Sequence, residues 1–167
     1  MHDELTAVDI RKMQEEIDYR ENELRPKLIE DVQTARAFGD LSENFEYKVA
    51  KQEKNRNESR IRYLKRMIAS AVVIDPISET DTVGLFDKVT LFMEDEGEEE
   101  TITLVTTLRQ NAMMGYISKE SPLGSAVMGH RAGDRVFVEI PGRAGYWATI
   151  RAIEKGTDDD SLDISPY

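Results

Sequence analysis

Apolar residues recur at a helical period through the first third of the chain. Ile10, Met13, Ile17, Leu24, Leu28, Val32 and Ala35 are separated by 3, 4, 7, 4, 4 and 3 residues, which keeps one face of a helix apolar with a slip near Leu28. The start is marked twice. Thr6 is a capping residue with Asp9 three positions on, a variant of the capping box, and Leu5 and Ile10 have the spacing of a hydrophobic staple. Pro26 lies inside the run, so the pattern predicts a kink there or one missing backbone bond.

A second run is more regular. Tyr47, Ala50, Lys54, Asn57, Ile61, Leu64, Ile68 and Ala71 alternate spacings of 3 and 4, the seam of a heptad repeat. Lys54 and Asn57 weaken the half nearest the turn, so stability is expected from the far half. Gly39 stands between the runs and suits a helix end that needs a left-handed residue. The simplest solution is two antiparallel helices joined by a short turn. With roughly 30 residues each, at 1.5 Å per residue, the hairpin is predicted to be about 45 Å long.

After Asp75-Pro76 the period changes. Residues 77–82 (ISETDT) read as a linker. Alternating runs then follow at 88–93 (KVTLFM), 101–108 (TITLVTTL), 135–140 (RVFVEI) and 146–153 (YWATIRAI), divided by turn-formers such as Glu96-Gly97, Gly133-Asp134 and Pro141-Gly142. Residues 121–129 (SPLGSAVMG) are predicted to form a short helix. The fold class is α+β: a helical hairpin followed by an antiparallel sheet with one small helix. Tyr146 and Trp147 are read as core or near-core aromatics. The end, 157–167, is read as a loosely ordered acidic tail.

Composition narrows the function classes. The chain has 167 residues, a net charge of -11, no cysteine and two histidines, His2 and His130. Disulfides and thiolate metal sites are excluded, and a multi-histidine zinc site is not expected. No stretch approaches the roughly 20 apolar residues of a membrane span, and the first residues lack the pattern of a secretory signal. A cytoplasmic protein fits these features. The negative charge argues against non-specific wrapping of duplex nucleic acid. It is unevenly spread, however: residues 47–71 carry eight bases against Glu53 and Glu58 alone. That segment is either a solvated helix face or a surface facing a phosphate backbone.

The turn between the helices, 39–47 (GDLSENFEY), concentrates carboxylates. Asp40 as a cap with Glu43 at the third helical position is a capping-box spacing, and both acids suit a helix N-terminus. The same two groups also lie on one side of a helix start. Magnesium takes oxygen ligands, often from one or two carboxylates, with water or a partner completing the shell. Two acids are a poor metal site alone but a plausible half-site for insertion into another molecule's active centre.

The motif Gly39-Asp40-Leu41-Ser42-Glu43-Asn44-Phe45-Glu46-Tyr47 resembles the tip of the bacterial Gre transcript-cleavage factors, the GreA/GreB family. The flanks 25–36 (RPKLIEDVQTAR) and 59–75 (SRIRYLKRMIASAVVID) agree with it, as does 117–134 (ISKESPLGSAVMGHRAGD) in the second half. The resemblance runs from about residue 5 to residue 155. It implies a coiled-coil hairpin over 1–76, a linker over 77–82, an FKBP-like polymerase-docking domain over 83–156 and the acidic tail over 157–167. It further implies a monomeric elongation factor that docks on bacterial RNA polymerase and enters its secondary channel. There it would stimulate cleavage of backtracked nascent RNA without being an enzyme itself. Asp40 and Glu43 would share the polymerase's Mg2+, with no cofactor of the factor's own. Glu120, Ser121 and Pro122 would dock on the polymerase. Lys48, Lys51 and Arg56 would face the RNA. Three positions depart from the family pattern: Phe45 stands in place of a small residue, Asp9 in place of a glycine, and 106–115 (TTLRQNAMMG) where many members are acidic. A regulator that occupies the channel without promoting cleavage is the alternative function.

Overall fold

The computed structural model describes residues 3–39, 44–76, 79–158 and 160–166, and the chain forms two compact units. One unit is the helical hairpin, Ile10–Ala71; the other joins Asp3–Asp9 to Val72–Pro166 around a sheet.

A short strand β1 (Glu4–Leu5) precedes α1 (Ala7–Tyr19), which passes through one π-helical turn (Arg20–Leu24) into α2 (Arg25–Arg36). The capping box at the start forms as predicted: the Thr6 N–H donates to Asp9 Oδ2 at 2.9 Å and the Asp9 N–H donates to Thr6 Oγ1 at 3.2 Å. Pro26 does not break the helix. It has no N–H to give, and its ring would press on the carbonyl one turn back. The wider π turn just before it accommodates both effects, with the Arg25 N–H bonded to the Arg20 carbonyl.

α3 (Phe45–Ser70) returns antiparallel to α2. Its 26 residues span about 39 Å at 1.5 Å per residue, close to the predicted length. The heptad seam is real. Tyr47, Ala50, Lys54, Asn57, Ile61, Leu64 and Ile68 are buried or half-buried, whereas Lys48, Lys51, Asn55, Arg62, Lys65 and Ala69 are exposed. Burial deepens away from the tip, with Met13, Ile17, Ile61 and Leu64 almost fully enclosed, as the weak tip half of the seam predicts.

The second unit contains the parallel pair β1 and β2 (Val72–Val73), and a five-stranded sheet of β3 (Lys88–Met93), β4 (Glu98–Val105), β5 (Tyr116–Ser118), β6 (Arg135–Val138) and β7 (Tyr146–Glu154). The order is β5-β4-β3-β7-β6. Alternation sends Val89, Leu91, Ile102, Leu104, Val136, Ala148 and Ile150 into the core, covered by Val127 of the short helix α4 (Pro122–Val127).

Four sequence readings change. The sheet is mixed, because β5 pairs parallel to β4; two 3-10 turns at Thr107–Arg109 and Ala112–Met114 bring the chain back to run alongside. Strands β1 and β2 place both ends of the hairpin region in the sheet unit, so the boundary is not at residue 76. Val72 N–H donates to the Asp3 carbonyl and Ile74 N–H to the Leu5 carbonyl. Trp147 is not in the core: β7 alternates, and Ala148 and Ile150 take the inward positions. Trp147 is 39% exposed, under the Arg135 guanidinium and beside Phe137. The 157–167 tail is held in its described part. Asp158 pairs with Arg109, Leu162 packs on Leu85, Phe86 and Val105, and Ser165 N–H donates to the Leu108 carbonyl. Residues 77 and 78 of the expected linker lie outside the described residues. Thr82, at its other end, is bridged to Arg131.

Candidate functional site

The hairpin tip is built by Asn44. Its side chain accepts from the Tyr47 N–H at 3.0 Å, capping α3 at the point where Phe45 begins the helix. The same amide donates to the Ala35 carbonyl at 2.6 Å. One residue therefore serves a free donor of α3 and a carbonyl in the last turn of α2 that also accepts from the Phe38 N–H at 3.2 Å. The cap that sequence spacing offers to Asp40 belongs to Asn44 instead. An Asn just ahead of a helical run was the available signal for it. Arg36 reinforces the end: its guanidinium donates to the Tyr47 hydroxyl and lies 5.5 Å from the ring centroid. That hydrogen bond draws the Tyr47 pKa below the ordinary tyrosine value. Gly39 has φ +132°, a conformation that residues with a Cβ avoid; it is not the left-handed helical value that the sequence suggested. Asp40 and Glu43 lie outside the described residues.

Beside the tip, Phe38 and Phe45 are 70% and 77% exposed. With Leu28, Ala35, Val49 and Ala50 they line an apolar groove of about 490 Å3. Phe45 is thus a surface residue, with Lys48 Nζ 5.5 Å from its ring centroid. Lys48 and Lys51 are exposed and three residues apart, so they share a face of α3. At 3.6 residues per turn Arg56 is rotated about 80° from Lys48 and about 140° from Lys51, and it bonds Glu53 at 3.2 Å.

The expected docking residues sit where β5 leads into α4. Ser121 caps α4, accepting from the Gly124 N–H at 3.0 Å and donating to the Ser118 carbonyl at 2.7 Å. Pro122 occupies the first helical turn, where a missing N–H costs nothing. Glu120 accepts from Thr107 Oγ1 at 3.2 Å. Glu120 and Pro122 are exposed, whereas Ser121 is half-buried and committed to the local fold. The structure adds residues that sequence reasoning missed: Phe137, Glu139, Pro141 and Arg143 line one groove with Glu120 and Pro122. No local pattern links 120–122 to 137–143; the packing of α4 against β6 does.

Among the described residues, no group of three or more His, Cys, Asp or Glu side chains gathers to hold a metal ion. The oxygen-donor chemistry of Asp40 and Glu43 suits Mg2+, but two carboxylates would need further ligands from a partner. No helix among the described residues is long and apolar enough to cross a membrane.

A long helical hairpin with a doubly tied tip, encoded in the same chain as a small mixed-sheet unit, defines a two-unit α+β protein. Residues 4–73 match the family described as "Transcription elongation factor, N-terminal" and residues 78–155 match "Transcription elongation factor, GreA/GreB, C-term". The chain belongs to the GreA/GreB family of transcription elongation factors. It is 42% identical over 139 residues to transcription elongation factor GreA of Geobacillus kaustophilus, covering 83% of this chain and 88% of that protein. It is 40% identical over 152 residues to GreA of Oenococcus oeni, covering 90% and 94%. A solved structure titled "Structure of the transcription factor Gfh1" is 26% identical, with a TM-score of 0.46, covering 92% of this chain and 97% of that one.

Proposed function

We propose that this elongation factor enters the secondary channel of bacterial RNA polymerase and stimulates Mg2+-dependent cleavage of backtracked RNA, the catalytic centre being the polymerase's own. The observation that carries the reading is the Asn44 cap. α3 takes its N-cap from Asn44, so the capping role that the sequence spacing offered to Asp40 is filled by another residue.

In this reading Asp40 and Glu43 contribute carboxylate oxygens toward the polymerase's Mg2+ and orient a water for attack. The ion supplies Lewis-acid activation of that water and stabilises charge on the scissile phosphate. Asn44, Arg36 and Tyr47 tie the end of α2 to the start of α3, which stiffens the two helix ends that flank the acids in sequence. Lys48 and Lys51 place positive charge along one face of α3, suited to extruded RNA. Glu120 and Pro122 offer the contact with polymerase, while Ser121 shapes their turn.

The test is a stalled, backtracked polymerase complex carrying end-labelled RNA. Adding the factor shortens the RNA from its 3′ end and restores extension. Blocked synthesis with full-length RNA would instead assign the chain to channel-binding regulators that do not promote cleavage.

A further inference from the structure

The middle of the hairpin holds charge where a helical pair ordinarily holds apolar side chains. Asn57 and Arg60 are each 3% exposed. Arg60 grips Glu16 through Nε and Nη2, at 2.7 and 3.3 Å, and Arg20 Nε reaches the same carboxylate at 2.9 Å. Arg20 Nη1 then donates to Asn57 Oδ1 at 2.9 Å, and Asn57 Nδ2 donates to the Arg20 carbonyl at 3.2 Å. That carbonyl is the one that opens the π turn, and it also accepts from the Arg25 N–H. Arg25 in turn forms a two-point pair with Glu58 at 2.7 and 2.9 Å. The cross-helix bonds therefore gather on one irregular turn and its flanks.

A π turn holds one residue more than an α turn, so it resets the rotation of everything beyond it. Beyond it the seam offers little to define that rotation, since Ala50 and Lys54 stand where large apolar residues would pack. Buried polar groups of this kind contribute little net stability, yet a single polar seam residue is a well-attested device for specifying register.

Resting on the cleavage-factor reading, we propose that Arg20 and Asn57 are positioning residues. By clamping the carbonyl that opens the π turn, they fix the rotation of the tip-proximal half of the hairpin, and thereby the direction in which α2 and α3 present the segment between them.

Asn57→Leu separates this role from simple support, because leucine is the favoured residue at a seam position. The chain has no cysteine, so nitroxides can be placed at Gln33→Cys and Gln52→Cys, both exposed, and their separation measured by pulsed electron resonance. The expected result is a narrow distance distribution in the parent and a broadened or displaced one in Asn57→Leu, with an equal or higher melting temperature. Maximal RNA cleavage at saturating factor falls about tenfold or more, since misplacing reacting groups by roughly 1 Å can cost on the order of 100-fold. The concentration giving half-saturation stays within about twofold, which in free energy is well under the 1.4 kcal/mol of a tenfold change. An unmoved distance distribution overturns the proposal, as does one that moves only together with a lowered melting temperature. A parent protein that fails to cleave RNA would remove the proposed function, and the label distances would still decide the role of Asn57 and Arg20.

Discussion

Arg109 Nε donates to Asp9 Oδ1 at 2.7 Å, joining residues one hundred positions apart in the sequence. Its other two nitrogens reach Asp158, both at 2.5 Å, and Asp158 Oδ2 accepts from the Thr6 hydroxyl at 3.1 Å. Asp9 is fully buried and Arg109 nearly so. Burial alone would lower the Arg109 pKa, but the two carboxylates outweigh it and raise it. The acid of the capping box and a base of the 3-10 turn thus form one buried ion pair.

Arg109→Met is expected to destabilise the sheet unit by about 3–5 kcal/mol, because it strands two buried carboxylates without a counter-charge. Denaturant unfolding followed through Trp147 fluorescence measures this. A loss below about 1 kcal/mol, the value of a surface pair, would mean that water reaches the site.

The double change Asp40→Asn and Glu43→Gln is expected to leave polymerase binding intact and abolish RNA cleavage. Because α3 is capped by Asn44, the melting temperature should stay within experimental error. Loss of binding together with a drop in melting temperature would return the two acids to a structural role.

Asn44→Ala tests the tip from the other side. Losing an N-cap costs typically about 1 kcal/mol, and the Ala35 carbonyl is left with its bond from the Phe38 N–H. We expect helix fraying detectable as faster amide exchange at residues 45–48, with the sheet unit unaffected. Unchanged exchange there would show that the cap contributes nothing.

Acid should loosen the hairpin through Glu16. Burial alone would raise its pKa, but Arg60 and Arg20 outweigh that and hold it below the ordinary glutamate value. A carboxylate with a lowered folded pKa stabilises fully above its unfolded pKa, near 4.3, and loses that contribution as pH falls through the folded value. Glu58 behaves likewise through its hydrogen bond to Arg25. Helical melts at pH 7, 4 and 3 should fall more steeply in the parent than in Glu16→Gln; parallel curves would discount the pair.

At the docking turn, Pro122→Ala and Gly124→Ala should differ. Pro122 is exposed, so its loss weakens polymerase docking and leaves the fold alone. A Cβ on Gly124 would lie 2.0 Å from the Ser118 carbonyl oxygen, so Gly124→Ala unseats α4 and lowers the melting temperature as well. Equal docking affinity for Pro122→Ala and the parent would discard this surface.

The sequence by itself determined what short-range physics controls. Thr6 and Asp9 cap a helix wherever that helix lies, the 3-and-4 spacing from Tyr47 to Ala71 forces one face of α3 inward, and the alternation at 88–93 makes a strand whose core side is Val89, Leu91 and Met93. Only the tertiary structure decided which elements meet. It set β5 parallel to β4, turned Trp147 outward, gave Asn44 a carbonyl on α2, seated Asn57 on the Arg20 carbonyl and brought Arg109 to Asp9. The Asn57–Arg20 and Arg109–Asp9 contacts join groups 37 and 100 positions apart whose proximity follows from packing, so no window of neighbouring residues contains both partners.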